Sequence, residues 1–424
     1  VSPYLTARAA LSVGCTIILR TICQVPKPRI VNKNRPNSRL TAWLSLPRVA
    51  IEISAEAFMT DRTKLPPTVY LLGLTIFSLV TAEFMVAGMM PALAESFSVS
   101  LAQVGNLIAF YALGMALGGP PVTVMLLARR VSNKHALVSL LAVYVFAGAL
   151  AAAAPTYLIL AIARCIMGIS SAACIGLCMT ICAGMVSTEI RGRALSVVLA
   201  GLMLSPVAGV PMTAWVEQHF GWRASGWLVV VLALICTALA ASRLPKVKPG
   251  SEPPLSSQWS ALRSTQLWGA YITSGLIIGS TFAAFSYCTP ILIDEVGVKA
   301  SQVAPLLAVY GIANLIGNMF VGRIADRHTM PALGWGLALM AIALGGFALA
   351  GDLVWLNLGC FVLLGLTGVA LNPAMVARVM KAAEPSALVN ALHTSVITAG
   401  LAFGSWAGGA VIELGYGLRA PLWV

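Results

Sequence analysis

Long apolar runs that recur about every 30 residues from Pro67 onward constrain this chain more than any other feature. Each run is long enough, at about 1.5 Å per residue, for a helix to cross about 30 Å of hydrocarbon. Charged residues make up 10% of the chain, whereas a soluble protein carries about 25%, so lipid must cover much of its surface. We predict an all-α membrane protein with eleven spans, at 67–92, 101–127, 136–154, 156–186, 193–217, 223–242, 267–293, 301–322, 331–350, 353–379 and 387–412.

Basic residues are divided unevenly between the two alternating sets of loops that separate these runs. The positive-inside rule places the richer set in the cytoplasm, so we predict a cytoplasmic N-terminus for a multi-pass protein of the cell inner (plasma) membrane. The net charge of +13 thus reflects membrane topology and does not indicate binding to nucleic acid. The poorer set holds three, Arg223, Lys299 and Arg419, and the richer set holds fifteen, Arg62, Lys64, Arg129, Arg130, Lys134, Arg191, Arg193, Arg243, Lys246, Lys248, Arg263, Arg323, Arg327, Arg378 and Lys381.

An internal repeat divides the chain into two similar parts. The segment Phe220-Gly221-Trp222-Arg223-Ala224 returns 196 residues later as Tyr416-Gly417-Leu418-Arg419-Ala420, an offset about as long as six spans. Parallel repeats of six helices are typical of transporters whose halves rock around a central site. We predict a first half at 59–242, a cytoplasmic linker at 243–266 and a second half at 267–424. The second copy of the motif should open a twelfth helix, which the sequence then truncates.

Residues 1–58 differ in composition from the rest of the chain. They hold eight basic and two acidic residues, and their apolar run at 11–19 is too short to span a bilayer. One interpretation is a disordered basic tail on the cytoplasmic face. The other is that translation begins at Met59 and that the preceding stretch is a mis-annotated upstream extension.

Two charged residues, Glu83 and Arg164, lie deep inside predicted spans from Pro67 onward. A charge at mid-bilayer costs at least about 2.5–3.5 kcal/mol and usually faces a cavity or a partner. Glu83 lies about 13 Å from the outer end of its predicted helix, and Arg164 lies about 12 Å from the outer end of its own. This equal depth allows an ion pair in which Glu83 carries a proton or senses substrate and Arg164 modulates it. A purely structural pair that fixes helix packing is the alternative.

Other polar residues at membrane depth leave two interpretations open, because they either face a substrate or bond to neighbouring helices. They are Asn314, Asn318 and His393. Cys174, Cys178 and Cys182 share one helix face, which would suit a path for a soft metal, but small residues at a helix contact are the favoured interpretation. We predict no metal site and no cofactor.

Motifs of enzymes and ATP-driven pumps are absent from the sequence. The chain contains no His-Glu-x-x-His, no Gly-x-Ser-x-Gly and no Walker loop. We therefore expect neither an enzyme nor an ATP-driven pump, which leaves an ion gradient as the energy source.

Two loop motifs resemble the signature of the major facilitator superfamily between the second and third helices of each half. The second half reads Gly322-Arg323-Ile324-Ala325-Asp326-Arg327, whereas in the first half Gly118-Gly119-Pro120 precedes Arg129-Arg130 without the Asp of the family pattern. The resemblance implies that these loops gate the cytoplasmic side through ion pairs. The residues that would do so are Gly119, Pro120, Arg129, Arg130, Gly322, Arg323, Asp326 and Arg327.

Three segments of the first half resemble the drug:proton antiporter branch of this family. Thr81-Ala82-Glu83-Phe84, followed by Gly88 and Pro91, resembles its first helix, and Arg164-Cys165-Ile166-Met167-Gly168 resembles a motif linked to proton coupling. The segment at 201–211 resembles the antiporter motif of the fifth helix, with Ser205 where Gly is usual. Its matching residues are Gly201, Pro206, Gly209 and Pro211. Within the branch, the likeness is nearest to arabinose-type sugar efflux and chloramphenicol efflux proteins.

The resemblance implies a bundle of two six-helix halves that exports a small drug-like or sugar-like solute in exchange for protons by alternating access. We expect its partners to be the lipid bilayer, the solute and protons, and we expect it to act as a monomer that binds no nucleic acid. An importer of a small metabolite on the same fold and a non-transporting membrane sensor are the alternatives.

Overall fold

The computed structural model describes residues 65–128, 131–187, 190–245, 264–383 and 387–424. The extension at 1–58, Arg129, Arg130 and linker residues 246–263 lie outside this part of the chain. Within it, eleven helices are long and apolar enough to cross a membrane, which confirms the predicted count. They are α1 (Pro67–Gly88), α2 (Leu101–Ala128), α3 (Asn133–Ala152), α4 (Tyr157–Met185), α5 (Arg191–Phe220), α6 (Trp222–Arg243), α7 (Thr265–Phe285), α8 (Ala300–Ile324), α9 (Thr329–Leu349), α10 (Val354–Ala382) and α11 (Ala387–Glu413).

Four of the predicted helices are interrupted in the structure. A short helix, Met90–Phe97, follows α1, and a π-helical turn, Ser205–Gly209, lies within α5. After α7 the chain forms a short helical turn and then a π-helical turn, Ile291–Glu295, while α10 contains a 3-10 turn, Val369–Leu371. Each interruption lies beside a proline, which has no backbone N–H and disturbs the helical hydrogen bonds. The residues expected to open a twelfth helix form a 3-10 turn, Ala420–Trp423.

Close packing of small residues recurs in the two parts of the bundle, here named the first half (residues 67–243) and the second half (residues 265–423). Helix α5 lies so near α1 that a Cβ added at Gly201 would be 2.0 Å from the Gly73 carbonyl oxygen. Helix α11 approaches α7 in the same way, because a Cβ at Gly404 would be 1.9 Å from the Gly279 carbonyl oxygen. Small residues allow such close backbone contacts between membrane helices.

The repeated arginine motif makes the same contact in each half. In the first half, Arg223 donates a hydrogen bond to the carbonyl oxygen of Ala154, in the turn between α3 and α4. In the second half, Arg419 donates to the carbonyl oxygen of Gly351, in the turn between α9 and α10. The sequence repeat is therefore matched by a repeated contact, although the predicted boundaries of the halves stay a prediction.

Side-chain hydrogen bonds join the halves at one end of the bundle. We name this the Ser98 end, after the turn between α1 and α2, and the opposite end the Arg327 end, after the turn between α8 and α9. At the Ser98 end, Ser100 donates to Glu413 and Gln218 donates to the carbonyl oxygen of Ala300. These bonds join α2 to α11 and α5 to α8.

Candidate functional site

Arg164 is the largest fully buried side chain in the described part of the molecule, with 1% of its surface exposed. Its guanidinium donates to three backbone carbonyl oxygens: Ala82 at 2.5 Å, Glu83 at 3.0 Å and Leu107 at 3.3 Å. The guanidinium carbon also lies 4.3 Å from the ring centroid of Tyr111, in a cation–π contact. A side chain of α4 thereby joins α1 and α2.

Close packing between α4 and α2 carries Arg164 to this position. A Cβ added at Gly168 would lie 2.0 Å from the Tyr111 carbonyl oxygen, and one at Gly114 would lie 2.5 Å from the Cys165 carbonyl oxygen. Gly168 is four residues after Arg164, so both lie on the face of α4 that meets α2. The long arginine side chain then reaches past α2 to the backbone of α1.

The Glu83 side chain lies beside Arg164 without forming an ion pair. The residue is 5% exposed, and no carboxylate oxygen of Glu83 lies within 4.0 Å of the Arg164 nitrogens. The ion pair that equal depth allows is therefore replaced by a bond from the guanidinium to the Glu83 backbone. Position along a helix sets the depth of a side chain in the membrane but not its rotamer. The sequence therefore placed these two residues together, but it did not show that Arg164 bonds to the backbone of Glu83 and not to its carboxylate.

Buried hydroxyl groups surround this pair. Tyr111 donates to the carbonyl oxygen of Leu79 at 3.2 Å. Tyr144 and Ser171 lie beside Tyr111, and Ser78 lies on α1, yet these three hydroxyls make no hydrogen bond of acceptable geometry within the described residues. Buried polar groups without partners are rare in native proteins and indicate strain, function or a bound water.

A small apolar void lies next to Arg164 among α1, α3, α4 and α6. Its volume of about 30 Å³ is far below the roughly 300–1,000 Å³ of a typical small-molecule site. Met85, Tyr144 and Met167 are among its lining residues. The void is too small to hold a substrate.

Residues expected to gate the cytoplasmic side are only partly within the described chain. Gly119 is buried on α2, where an added Cβ would lie 2.7 Å from the Ala172 Cβ, and Pro120 follows it. Gly322, Arg323, Asp326 and Arg327 are exposed at the Arg327 end. The Lys381 amine donates to the carbonyl oxygen of Asp326 at 2.8 Å, which ties this loop to α10 of the same half.

The antiporter-like segment of α5 contacts both halves. A Cβ added at Gly209 would be 2.1 Å from Thr81 Oγ1 on α1, and Thr81 also donates to Ser205 at 3.2 Å. On the opposite side, a Cβ added at Gly311 of α8 would lie 2.2 Å from the Pro206 carbonyl oxygen. Pro211 is the second residue of the helical part of α5 that follows the π-helical turn. This segment therefore lies between α1 and α8.

Three other polar residues lie in the second half. Asn314 is buried on α8, with 4% of its surface exposed, and Asn318 is half-buried on the same helix. His393 bonds to Ser274 at 3.0 Å and stacks on Tyr271 at a centroid distance of 5.8 Å. His393 thus bonds to a neighbouring helix, and the prediction that these polar residues face a substrate stays a prediction.

Metal-ligating side chains do not gather anywhere in the described residues. No group of three or more His, Cys, Asp or Glu there is placed to hold a metal ion. Cys174 and Cys178 are fully buried in the packing of α4.

Two buried tyrosines were not singled out from the sequence. Tyr111 supports the Arg164 guanidinium, and Tyr287 sits between the halves. A Cβ at Gly105 of α2 would lie 1.9 Å from the Tyr287 hydroxyl oxygen, and one at Gly409 of α11 would lie 2.5 Å from it. A tyrosine within an apolar run is a weak signal, because its hydroxyl needs a partner wherever it is buried.

Comparisons with known proteins agree with this architecture. The chain is 31% identical to the inner membrane transport protein YdhP of Escherichia coli (strain K12), over 82% of this chain and 89% of that protein. It is 27% identical to a chloramphenicol resistance protein of Streptomyces lividans, over 85% and 92%. Among solved structures, a bacterial homolog of the human lysosomal transporter Spinster, in an inward-facing and occupied conformation, has a TM-score of 0.63. That match has 18% identity and covers 81% of this chain and 80% of the other.

The family model for the Major Facilitator Superfamily matches residues 72–405. This match covers most of the chain and includes all eleven spans at least in part, and the relatives are transporters and not enzymes. The protein is thus a multi-pass membrane protein that lies in the lipid bilayer and moves a small-molecule substrate. The chain belongs to the Major Facilitator Superfamily of secondary transporters.

Proposed function

We propose that this transporter exports a small drug-like or sugar-like solute in exchange for protons. In this proposal Glu83 is the proton carrier or substrate-sensing acid, and Arg164 is its modulator. The observation that carries the proposal is a buried carboxyl group on α1 beside a buried guanidinium that holds the α1 backbone. Buried ionisable residues in membrane spans are costly, and they commonly serve proton or substrate pathways.

The bonding of Arg164 suggests how protonation is coupled to helix movement. The guanidinium is anchored on the backbone of α1, while the Glu83 carboxylate stays outside ion-pair distance. A small rotation of α1 against α4 would change the distance between the two charges, and with it the proton affinity of the carboxyl group.

Alternating access is supported by the closure of the Ser98 end. Tyr287 fills the space between α2 and α11 there, and Thr289 donates to the Ala87 carbonyl oxygen of α1 at 2.7 Å. With the predicted cytoplasmic N-terminus, the Ser98 end faces outward, and this conformation is closed to the outside. Transport would require these contacts to open while contacts at the Arg327 end form.

Export is favoured over import by the antiporter-like segment of α5 and by a relative. The relative from Streptomyces lividans is a chloramphenicol resistance protein. In our proposal the partners are protons and a neutral or cationic solute, and the protein acts as a monomer. Asn314, Asn318 and His393 are proposed to line the path in the second half, and the two gating loops to close it on the cytoplasmic side.

A susceptibility assay tests this proposal. A bacterial host that lacks its own exporters would express the wild-type chain, Glu83→Gln or no transporter, and growth would be measured against a panel of antibiotics and toxic sugar analogues. We expect the wild type to raise the inhibitory concentration of at least one compound, and Glu83→Gln to abolish this protection at equal membrane expression. Protection that survives in Glu83→Gln would contradict the role of Glu83, and sensitisation by the wild type would indicate import.

A further inference from the structure

A second cavity, of about 520 Å³, opens at the Arg327 end of the second half. It lies between the first turns of α7, the turn after α8, the start of α9 and the last turn of α10. Its volume is within the range of about 300–1,000 Å³ that small-molecule sites occupy. The lining residues that matter here are Arg327, Thr329, Met330, Pro331, Arg378 and Lys381.

The side chains that line this cavity carry positive charge. Arg327, Arg378 and Lys381 are cations, and none of the lining residues is acidic. Within the described chain, no carboxylate oxygen lies within 4.0 Å of the side-chain nitrogens of these three residues. The cavity therefore concentrates positive charge that an anionic ligand would neutralise.

Neutral partners hold two of these cations in place. The Lys381 amine donates to the Asp326 carbonyl oxygen at 2.8 Å and to Thr329 Oγ1 at 2.7 Å. Arg378 donates from one terminal nitrogen to Thr273 Oγ1 at 2.8 Å. These bonds orient both side chains without cancelling their charge, and each cation keeps further N–H groups for a ligand.

The N-terminus of α9 adds a second source of positive potential. The 21-residue helix begins at Thr329, and its first three residues, Thr329, Met330 and Pro331, line the cavity. Pro331 has no N–H, so this end offers the N–H groups of Thr329 and Met330 together with the helix dipole, and both favour anions. Three cations, a cavity and a long helix N-terminus thus converge on one space.

We propose that this cavity binds a phosphate group, either that of an anionic lipid headgroup or free phosphate. Arginine forms paired hydrogen bonds with phosphate oxygens, and lysine adds a point charge. Basic pockets between membrane helices bind anionic headgroups in this way. Met330 is 60% exposed at the cavity and offers apolar surface to an acyl chain. This inference does not depend on proton coupling at Glu83.

Thermal unfolding of the purified full chain in detergent would test the proposal. Phosphatidylglycerol, phosphatidylcholine, inorganic phosphate and chloride at matched ionic strength would each be added, and native mass spectrometry would count retained lipids. We expect phosphatidylglycerol or phosphate to raise the unfolding temperature above its matched control. A rise with phosphatidylglycerol alone identifies the headgroup as the source, and a rise with inorganic phosphate identifies the free anion.

Three variants connect the effect to the cavity. Arg327→Gln and Arg378→Gln each remove a lining cation, whereas Arg243→Gln removes an exposed cation at the same end outside the cavity. Loss of one charge-assisted hydrogen bond should weaken binding about tenfold in the first two variants and leave it unchanged in the third. If Arg378→Gln does not fold, Arg327→Gln alone tests the proposal, because Arg327 is exposed and its replacement should not disturb folding. Equal responses of Arg327→Gln and Arg243→Gln, or no response of the wild type, would overturn the proposal.

Discussion

The two halves of the bundle repeat their helix contacts but bury different chemistry at equivalent positions. In the first half, Arg164 lies four residues before Gly168 on α4, and Phe361 lies four residues before the corresponding Gly365 on α10. Around Arg164 the interior is ionic and hydroxyl-bearing. Around Phe361, aromatic rings are stacked, with Tyr310 centred 4.7 Å from Phe285 and 5.0 Å from Phe361.

An equivalent backbone contact thus serves a different purpose in each half. In both halves a tyrosine backbone lies against a glycine, since a Cβ at Gly168 would be 2.0 Å from the Tyr111 oxygen and one at Gly365 would be 2.9 Å from the Tyr310 oxygen. In the first half the contact positions a charge. In the second half it supports a stack of aromatic rings. We infer that coupling chemistry lies in the first half, and that the second half supplies a firm surface against it.

Replacing the buried arginine should produce the largest loss of stability. Arg164→Lys keeps the charge, but one ammonium group cannot reach the three carbonyl oxygens that the guanidinium joins. We expect about 3–5 kcal/mol of destabilisation, the cost of disrupting a buried charged network. Chemical denaturation in detergent would measure it.

The control for this change is Cys360→Ala, at a buried position of α10 beside the one that corresponds to Arg164. We expect a cost of about 1 kcal/mol, as for an average substitution. Similar losses at Arg164 and Cys360 would mean that the arginine is a packing residue, and the contrast between the halves would fail.

Adding a methyl group where helices meet should have a smaller effect, of similar size in both halves. Gly201→Ala on α5 and Gly404→Ala on α11 each place a Cβ within about 2 Å of a backbone oxygen, so the helices must separate. We expect about 1–3 kcal/mol of destabilisation for each, measured by the same denaturation.

Gly176→Ala is the control for this pair, because nothing lies within 4 Å of its added Cβ. In a helix interior this change should be neutral or stabilising by up to about 1 kcal/mol. A loss in Gly176→Ala as large as that in Gly201→Ala would show that helix propensity, and not close contact, controls these positions.

The repeated arginine motif should show the smallest effect, and an unequal one. Arg419 bonds to Gly351, to Phe347 and to the Glu295 carboxylate, whereas Arg223 bonds to Ala154 and lies over the Trp222 ring. Because both sites are near the solvent, we expect about 1 kcal/mol for Arg223→Gln and more for Arg419→Gln. A larger loss in Arg223→Gln would contradict this ranking, and thermal unfolding of the two variants would establish it.

Much of the fold could be predicted from the sequence because a bilayer fixes the length of a span. The eleven apolar runs gave the eleven helices, since every backbone group in lipid must bond within its own segment. The interruptions after α1 and α7 and within α5 and α10 were missed. A proline within a span is tolerated where neighbouring helices satisfy the backbone groups whose hydrogen bonds it removes. Hydropathy alone does not report those neighbours.

The location of the candidate site could be predicted from the sequence, but its hydrogen bonds could not. A charge in an apolar run identified Glu83 and Arg164, and helix rise gave their common depth. Sequence could not show that the guanidinium bonds to the α1 backbone, because that depends on the rotation of α4 against α2. For His393 the sequence left two interpretations open, and it does not reveal the bond to Ser274 on α7.

Proton exchange in everted membrane vesicles tests the central claim most directly. A pH-sensitive dye would follow a preformed proton gradient while compounds that the susceptibility assay identifies as substrates are added. Glu95→Gln serves as the matched control, because Glu95 is exposed in the short helix after α1. We predict that substrate discharges the gradient with the wild type and Glu95→Gln, and that Glu83→Gln abolishes the discharge. Discharge by Glu83→Gln at the wild-type rate would contradict the assignment of proton coupling to Glu83.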